Sequence, residues 1–366
     1  MKRVAQFAAI TAVAALALTA CGDAPDDSAT TAGGGATTSA GAEATDFKAC
    51  MVSDFGGFND NSFNQSGFEG LEKAKSDLGI ETATAESTDA GQYTGNVDSM
   101  VQANCNLIVT VGFNLADATA AAADQTPEQN FALIDSGVDP ARENVKPLLF
   151  NTQEAAFLAG YLAAGMSETK TVATFGGQPY PSVTIFMDGF VDGVAKFNED
   201  NGDSVKVLGW DKDTQQGSFS ETFEDKGVGT SLTDGFIAGG ADIILPVAGP
   251  VGEGALASAS QHEGVKVIWV DSDGFMQENL AQYKGLILTS VMKEIGQSVF
   301  DVIETTSTGD FDATPYVGTL ENEGVALAPF HDFDADVTDE MKAELEQLKA
   351  DIIAGTVKAE SPSSPK

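Results

Sequence analysis

From Phe47 onward, short runs of β-branched and aliphatic residues alternate with segments whose apolar positions recur every three to four residues. The runs at 49–54, 106–112, 131–135, 171–175, 204–209, 242–247, 266–271 and 286–290 predict strands. Between them, Phe68, Leu71, Ala74 and Leu78 fall on one helical face, as do the apolar residues of Ala155–Ala164 and the set Ile295, Val299, Val302. Such alternation predicts an α/β protein with parallel sheets covered by helices. There are too many units for one small sheet, and the break near Phe150-Asn151 divides them into two doubly wound lobes. The expected division is 47–150 with about 276–310 in the first lobe, and 151–275 with about 311–358 in the second, the chain crossing more than once. A helix over Thr338–Ala354, with Met341, Leu345, Leu348 and Ile352 on one face and Gly355 behind it, closes the fold. The Pro/Ser-rich tail 359–366 is expected to be loose.

Ahead of the folded part, Met1-Lys2-Arg3 gives a positive start, Val4–Leu18 an apolar run, and Leu18-Thr19-Ala20-Cys21 a small-residue stop. Residues 1–20 therefore read as a signal peptide. The cysteine directly after Leu-Thr-Ala looks like a bacterial lipobox, in which Cys21 carries the lipid. Residues 21–46 are Gly, Ser, Thr, Ala and acid with almost no large apolar side chain, which predicts a flexible, lipid-anchored linker. The remaining cysteines, Cys50 and Cys105, each open a predicted strand. In a doubly wound sheet the first and third strands are neighbours, so the two would meet at one end and pair as a disulfide outside the cytoplasm; two buried free thiols are the alternative.

Composition narrows the function classes. The 366 residues carry 19 Lys+Arg against 55 Asp+Glu, a net charge of −36, which repels phosphate backbones and argues against nucleic acid as a partner. Two histidines and three cysteines leave little for catalysis built on either, and no metal site or cofactor is expected. HExxH, CxxC, Walker A and GxSxG patterns are all missing, so an enzyme is not expected. A carboxylate pair such as Asp54 and Asp271 keeps glycoside cleavage as the enzymatic alternative.

Ligands of open α/β sheets sit beyond the carboxyl ends of strands. The first strand ends in Asp54-Phe55-Gly56-Gly57-Phe58-Asn59-Asp60-Asn61-Ser62-Phe63-Asn64-Gln65. This block resembles the basic membrane protein family, lipoprotein receptors of ABC importers whose loop reads like D-x-G-x-x-D-x-S-F-N. The likeness continues through Val111-Gly112-Phe113, Ala132–Asp135, Glu154–Tyr161, Phe186–Phe190, Val247-Ala248-Gly249, Asp271-Ser272-Asp273 and Ser290–Lys293, covering about residues 48 to 330. One departure is Gly274, where the family often has Gln after the second Asp.

The resemblance implies a type I periplasmic-binding-protein fold, two lobes joined by a multi-strand hinge, and a purine-nucleoside ligand handed to ABC permease and ATPase subunits. It also implies a monomer that touches the membrane through its lipid anchor alone. Carried over, Asp54 and Asn64 would meet the base or position the first loop, and Phe63 would stack on the base. Asp271 would accept from ribose hydroxyls, Lys293 would donate to the same sugar, and Asp135 and Gly249 would line the cleft. Phe223 is the candidate opposing aromatic, with Trp210 and Phe219 competing. The bland readings of the same residues are a helix cap for Asp54, a core position for Phe63 and a surface ion pair for Asp271 with Lys293. Another flat ligand, such as a flavin or modified base, or a sensor that signals to a partner, fits the same pattern.

Overall fold

The computed structural model describes residues 46–365. In chain order the first part is β1 (Lys48–Val52), α1 (Phe63–Leu78), β2 (Glu81–Ala85), α2 (Tyr93–Gln102), β3 (Leu107–Val111), α3 (Ala116–Gln125), β4 (Asn130–Ile134) and β5 (Val145–Phe150). The second is α4 (Thr152–Met166), β6 (Thr171–Gly176), α5 (Pro181–Asn201), β7 (Lys206–Leu208), the small hairpin β8 (Trp210–Asp211) and β9 (Gln216–Gly217), α6 (Lys226–Ala238), β10 (Ile243–Val247), α7 (Gly252–Ala259), β11 (Lys266–Asp271) and β12 (Ile287–Lys293). The chain closes with α8 (Ile295–Ser307), β13 (Tyr316–Gly318), β14 (Val325–Leu327) and α9 (Asp339–Ile353).

Two six-stranded sheets result, ordered β13-β5-β4-β3-β1-β2 and β14-β12-β11-β10-β6-β7. All their pairings are parallel except β12 with β14. Parallel strands covered on both faces need continuous apolar runs, which Leu107-Ile108-Val109-Thr110-Val111 and Ile243-Ile244-Leu245-Pro246-Val247 supply, buried at every position. Alternate side chains serve opposite faces: Met51 and Val109 pack toward α1 and α8, Cys50 and Ile108 toward α2 and α3.

The lobe boundaries differ from the expected ones. Residues 276–293 belong with the second sheet, because β12 pairs with β11 there; only from α8 onward does the chain return to the first lobe. Within 311–358, β13 extends the first sheet beside β5. The chain thus crosses three times, after β5, after β12 and between β13 and β14. The run at 286–290 looks the same in either lobe, so its pattern carried no lobe information. The tail also departs from expectation. Residues 360–363 are fastened to the second lobe: Lys212 Nζ donates to Glu360 O at 2.6 Å, Ser361 Oγ to Asp188 Oδ2 at 2.6 Å, and Ser363 and Thr184 hydroxyls meet at 2.8 Å.

Cys50, in β1, and Cys105, just before β3, are joined as a disulfide with Cα atoms 5.9 Å apart. In the chain-entropy account a loop of this size stabilises by roughly 4 kcal/mol. Helices α4 and α5 cross at backbone contact, because glycines occupy the crossing. A Cβ on Gly193 would lie 1.9 Å from Phe157 O, and one on Gly160 would lie 2.1 Å from Phe190 O. Gly193→Ala should therefore lower unfolding free energy by about 1–3 kcal/mol or more in a urea titration. Gly235→Ala in α6, where an added Cβ meets nothing within 4 Å, should instead raise it by about 0.5–1 kcal/mol. Equal effects of the two would contradict this account of the α4–α5 crossing.

Candidate functional site

The carboxyl ends of both sheets open on one cavity, and the loops just beyond the strands build it. All eight sequence candidates line it: Asp54, Phe63, Asn64 and Asp135 from the first lobe, Phe223, Gly249, Asp271 and Lys293 from the second.

The loop after β1 is organised by Asn64. Its Nδ2 donates to Asp54 Oδ1 at 2.8 Å, to Phe55 O at 3.1 Å and to Asp60 Oδ2 at 3.1 Å, while its Oδ1 accepts from Asp54 N at 3.2 Å. The free amides at the start of α1 go to Asp60, which accepts from Ser62 N, Asn64 N and Gln65 N at 2.9–3.0 Å. Asp60 is therefore the cap of α1, and Asp54 keeps a carboxylate oriented by Asn64 toward the cavity. Burial pushes the Asp54 carboxyl up to about 7; the Asp60 charge adds to the rise, and hydrogen bonds from Asn64 and Asn114 hold it back. Burial likewise raises Asp60 above the usual carboxylate range.

Lys293, the last residue of β12, is the cation of the site. Its Nζ lies 2.5 Å from Asp135 Oδ2 and 3.0 Å from Asp271 Oδ1, and all three side chains are at least nine-tenths buried. Asp135 follows β4 of the first lobe and Asp271 ends β11 of the second, so the triad spans the interlobe gap. Both aspartates hold left-handed backbone, φ +57° and +69°, a conformation that costs a residue with a Cβ and is sustained here at two strand ends. Burial alone would lower the Lys293 pKa, but Asp135 and Asp271 hold it above the ordinary lysine range. Burial raises Asp135, and Lys293 opposes that rise. Three rings complete the surroundings of the ammonium, with centroids 4.9 Å (Phe63), 5.2 Å (Phe186) and 5.9 Å (Phe150) away.

Of the three competing aromatics, Phe223 alone lines the cavity among the described residues. Trp210 is buried with its Nε1 on Asp188 Oδ1, and Phe219 packs edge-on against Trp210. Phe223 can lie where it does because Gly177 has no side chain; a Cβ there would come within 2.2 Å of the ring. Gly274, the departure from the family pattern, lies against Trp269, 2.6 Å from where a Cβ would sit, and is outside the cavity lining.

Among the lining residues that sequence reasoning did not single out, three matter most to the geometry. Phe113, after β3 of the first lobe, stacks on Tyr180 of the second at 5.2 Å, and Tyr180 continues to Phe223 at 6.1 Å. The available signal was an aromatic just past each strand end: Phe113 directly after Gly112, and Tyr180 three residues after Gly177. The third, Ser62, has a buried Oγ without a hydrogen-bond partner among the described residues. It faces Gly249, whose φ of +51° turns the loop after β10 into the cleft. A buried hydroxyl left this way costs free energy unless something in the cavity bonds it.

Residues 47–358 match the family described as ABC transporter substrate-binding protein PnrA-like. The chain is 33% identical to the "ABC transporter nucleoside-binding protein BmpA" of Lactococcus lactis subsp. cremoris, over 86% of this chain and 89% of that protein. It is 31% identical to "Basic membrane protein A" of Borreliella burgdorferi over 67% of this chain and 68% of that one. Among solved structures, an ABC transporter solute-binding protein from Aeropyrum pernix K1 superposes with a TM-score of 0.75 at 21% identity, covering 85% of this chain and 92% of that one. The two-lobed architecture is thus the type I periplasmic-binding-protein fold.

The raised Asp54 pKa has a measurable sign. Above the unfolded carboxyl pKa near 4 and below about 7, the folded chain holds a proton the unfolded chain has lost, so this group's contribution to stability falls as pH rises through that window. Asp54→Asn cannot ionise. Denaturant titrations at pH 5 and pH 8 should show the variant gaining on the parent by about 1–3 kcal/mol at the higher pH. A difference that stays constant with pH would contradict the assignment.

Proposed function

The chain belongs to the PnrA-like ABC transporter substrate-binding proteins, and on that footing we propose that it captures a purine nucleoside between its lobes and delivers it to an ABC permease and ATPase. The observation that carries this reading is the union in one cavity of aromatic faces from both lobes with the Asp135–Lys293–Asp271 triad. A nucleoside is a neutral molecule with a flat π surface and vicinal hydroxyls. Phe63 and Phe223 suit the base, the Asp271 carboxylate can accept both hydroxyl protons, and Lys293 donates to a sugar oxygen. Asp54, oriented by Asn64, meets the polar edge of the base, and the unbonded Ser62 hydroxyl is available to the ligand. The nucleoside-binding relative in Lactococcus lactis supports the same class.

Charge separates nucleosides from nucleotides. Among the described residues the cavity lining carries five carboxyl groups (Asp54, Asp60, Asp135, Glu224, Asp271) and one ammonium, Lys293, already shared between two of them. A phosphate brought into this field would find no unshared cation, so unphosphorylated ligands are favoured.

In this reading the chain works outside the cytoplasm. Lipid on Cys21 and the linker over 21–46 tether it, following removal of the signal peptide 1–20; residues 1–45 lie outside the described ones. Closure of the two lobes around the ligand follows from the contacts each supplies.

Asp271→Ala should weaken nucleoside binding at least about a hundredfold in calorimetry, because two charge-assisted hydrogen bonds are lost. The same change should leave the free base nearly unaffected, whereas Phe63→Ala should weaken nucleoside and base together. Nucleoside binding by Asp271→Ala within a few-fold of a tightly binding parent would overturn the assignment.

A further inference from the structure

Asp188, in the middle of α5, is completely buried and belongs to no part of the ligand cavity. Its Oδ1 accepts from Trp210 Nε1 at 2.8 Å and Gln215 Nε2 at 2.9 Å, and its Oδ2 accepts from Ser361 Oγ at 2.6 Å. Without Ser361 one oxygen of a buried carboxylate would lose its donor, so the tail completes the interior of the second lobe. Thr184, which meets Ser363, lies one helical turn before Asp188. The tail therefore runs back along α5 toward its N-terminus, where Pro181 and Ser182 reach the cleft. There Ser363 and Pro365 wall a second cavity opposite Ser136 and Gly137 of the first lobe. This compartment adjoins the ligand cavity, since Phe113, Asp135 and Ser182 line both. The family match ends at residue 358, before the tail residues, while their partner Asp188 lies within it.

We propose that residues 360–365 are a wall of the binding cleft: latched by Ser361 to the buried Asp188, they shut the compartment beside Asp135 from solvent and slow the escape of the bound nucleoside. The nucleoside in that statement is the ligand proposed above; the wall itself stands without it.

The test uses a thiol on the far side of the compartment. In a Cys21→Ser background the Cys50–Cys105 disulfide leaves an introduced cysteine as the reactive thiol of the chain. Ser136→Cys is labelled with a small thiol reagent, without ligand, in the full chain, in a chain stopped after Ala359, and in Ser361→Ala. Labelling should speed up about tenfold when the tail is removed, and by several fold in Ser361→Ala, because a charge-assisted bond holds the latch. Ser361→Thr should restore the parent rate, and a cysteine at the exposed Ser76 should react equally in all chains. If removing the tail destabilises the second lobe, Ser361→Ala against Ser361→Thr decides the question in folded protein. An unchanged Ser136→Cys rate in those variants overturns the wall. Nucleoside dissociation should be about tenfold faster from the shortened chain, and equal dissociation overturns the retention role. A parent that binds no nucleoside yet shows the labelling difference overturns the nucleoside reading and supports the wall.

Discussion

The buried ammonium of Lys293 between Asp135 and Asp271 is the interaction on which the two lobes and their cavity depend. Isolating any one of these charges would be expensive, and losing one partner of such a buried pair typically costs about 3–5 kcal/mol. Here each is compensated by the others and by three aromatic rings. The arrangement requires Asp135 and Asp271 to end their strands in left-handed backbone and Lys293 to sit where the chain leaves the second sheet for α8. In the proposed binding mode, lobe connection and ligand recognition thereby fall on the same atoms. With two carboxylates on one ammonium, the triad retains acceptor capacity, which is what vicinal hydroxyls need.

Around that triad the cleft divides its polar work by position. Asp60 spends its oxygens on the first turn of α1, which frees Asp54 to be held by Asn64 at the cavity surface. The same burial that lines up Asp54 for a ligand raises its proton affinity into the neutral range. Phe63, which opens α1, is placed beside Lys293 by that capped turn, so in the proposed binding mode the loop after β1 joins base contact to sugar contact. Phe113 and Tyr180, one from each lobe, stack across the gap.

Much of the architecture was readable because strands buried on both faces must be apolar along their length, as in β3 and β10. Most strands without that constraint were not readable, β7 at a sheet edge being an exception. β2 is Glu-Thr-Ala-Thr-Ala at a sheet edge, β5 contains Lys146 and Pro147, and β13 and β14 are three residues each. The eight candidate residues stand at or just after strand ends or in the loop or first helical turn that follows, where the parallel-sheet rule directs attention, and the family motif selected among them. Ser62, Phe113 and Tyr180 escaped because their significance lies in what faces them from the other lobe, which an aromatic or hydroxyl just past a strand end only hints at. The tail escaped for a related reason. Its Ser/Pro composition suggests looseness, whereas its order comes from Asp188, far away in sequence. That aspartate stood inside the motif at Phe186–Phe190 without a role until its donors were seen.

A crystal structure of the chain grown with a purine nucleoside addresses the central claim most directly. The account predicts the sugar hydroxyls within hydrogen-bond distance of the Asp271 carboxylate and Lys293 Nζ, with Asp135 still on Lys293 and the base held by Phe63 and Phe223. A nucleoside bound elsewhere on the chain, or bound in the cleft with its sugar directed away from Asp271 and Lys293, would contradict it.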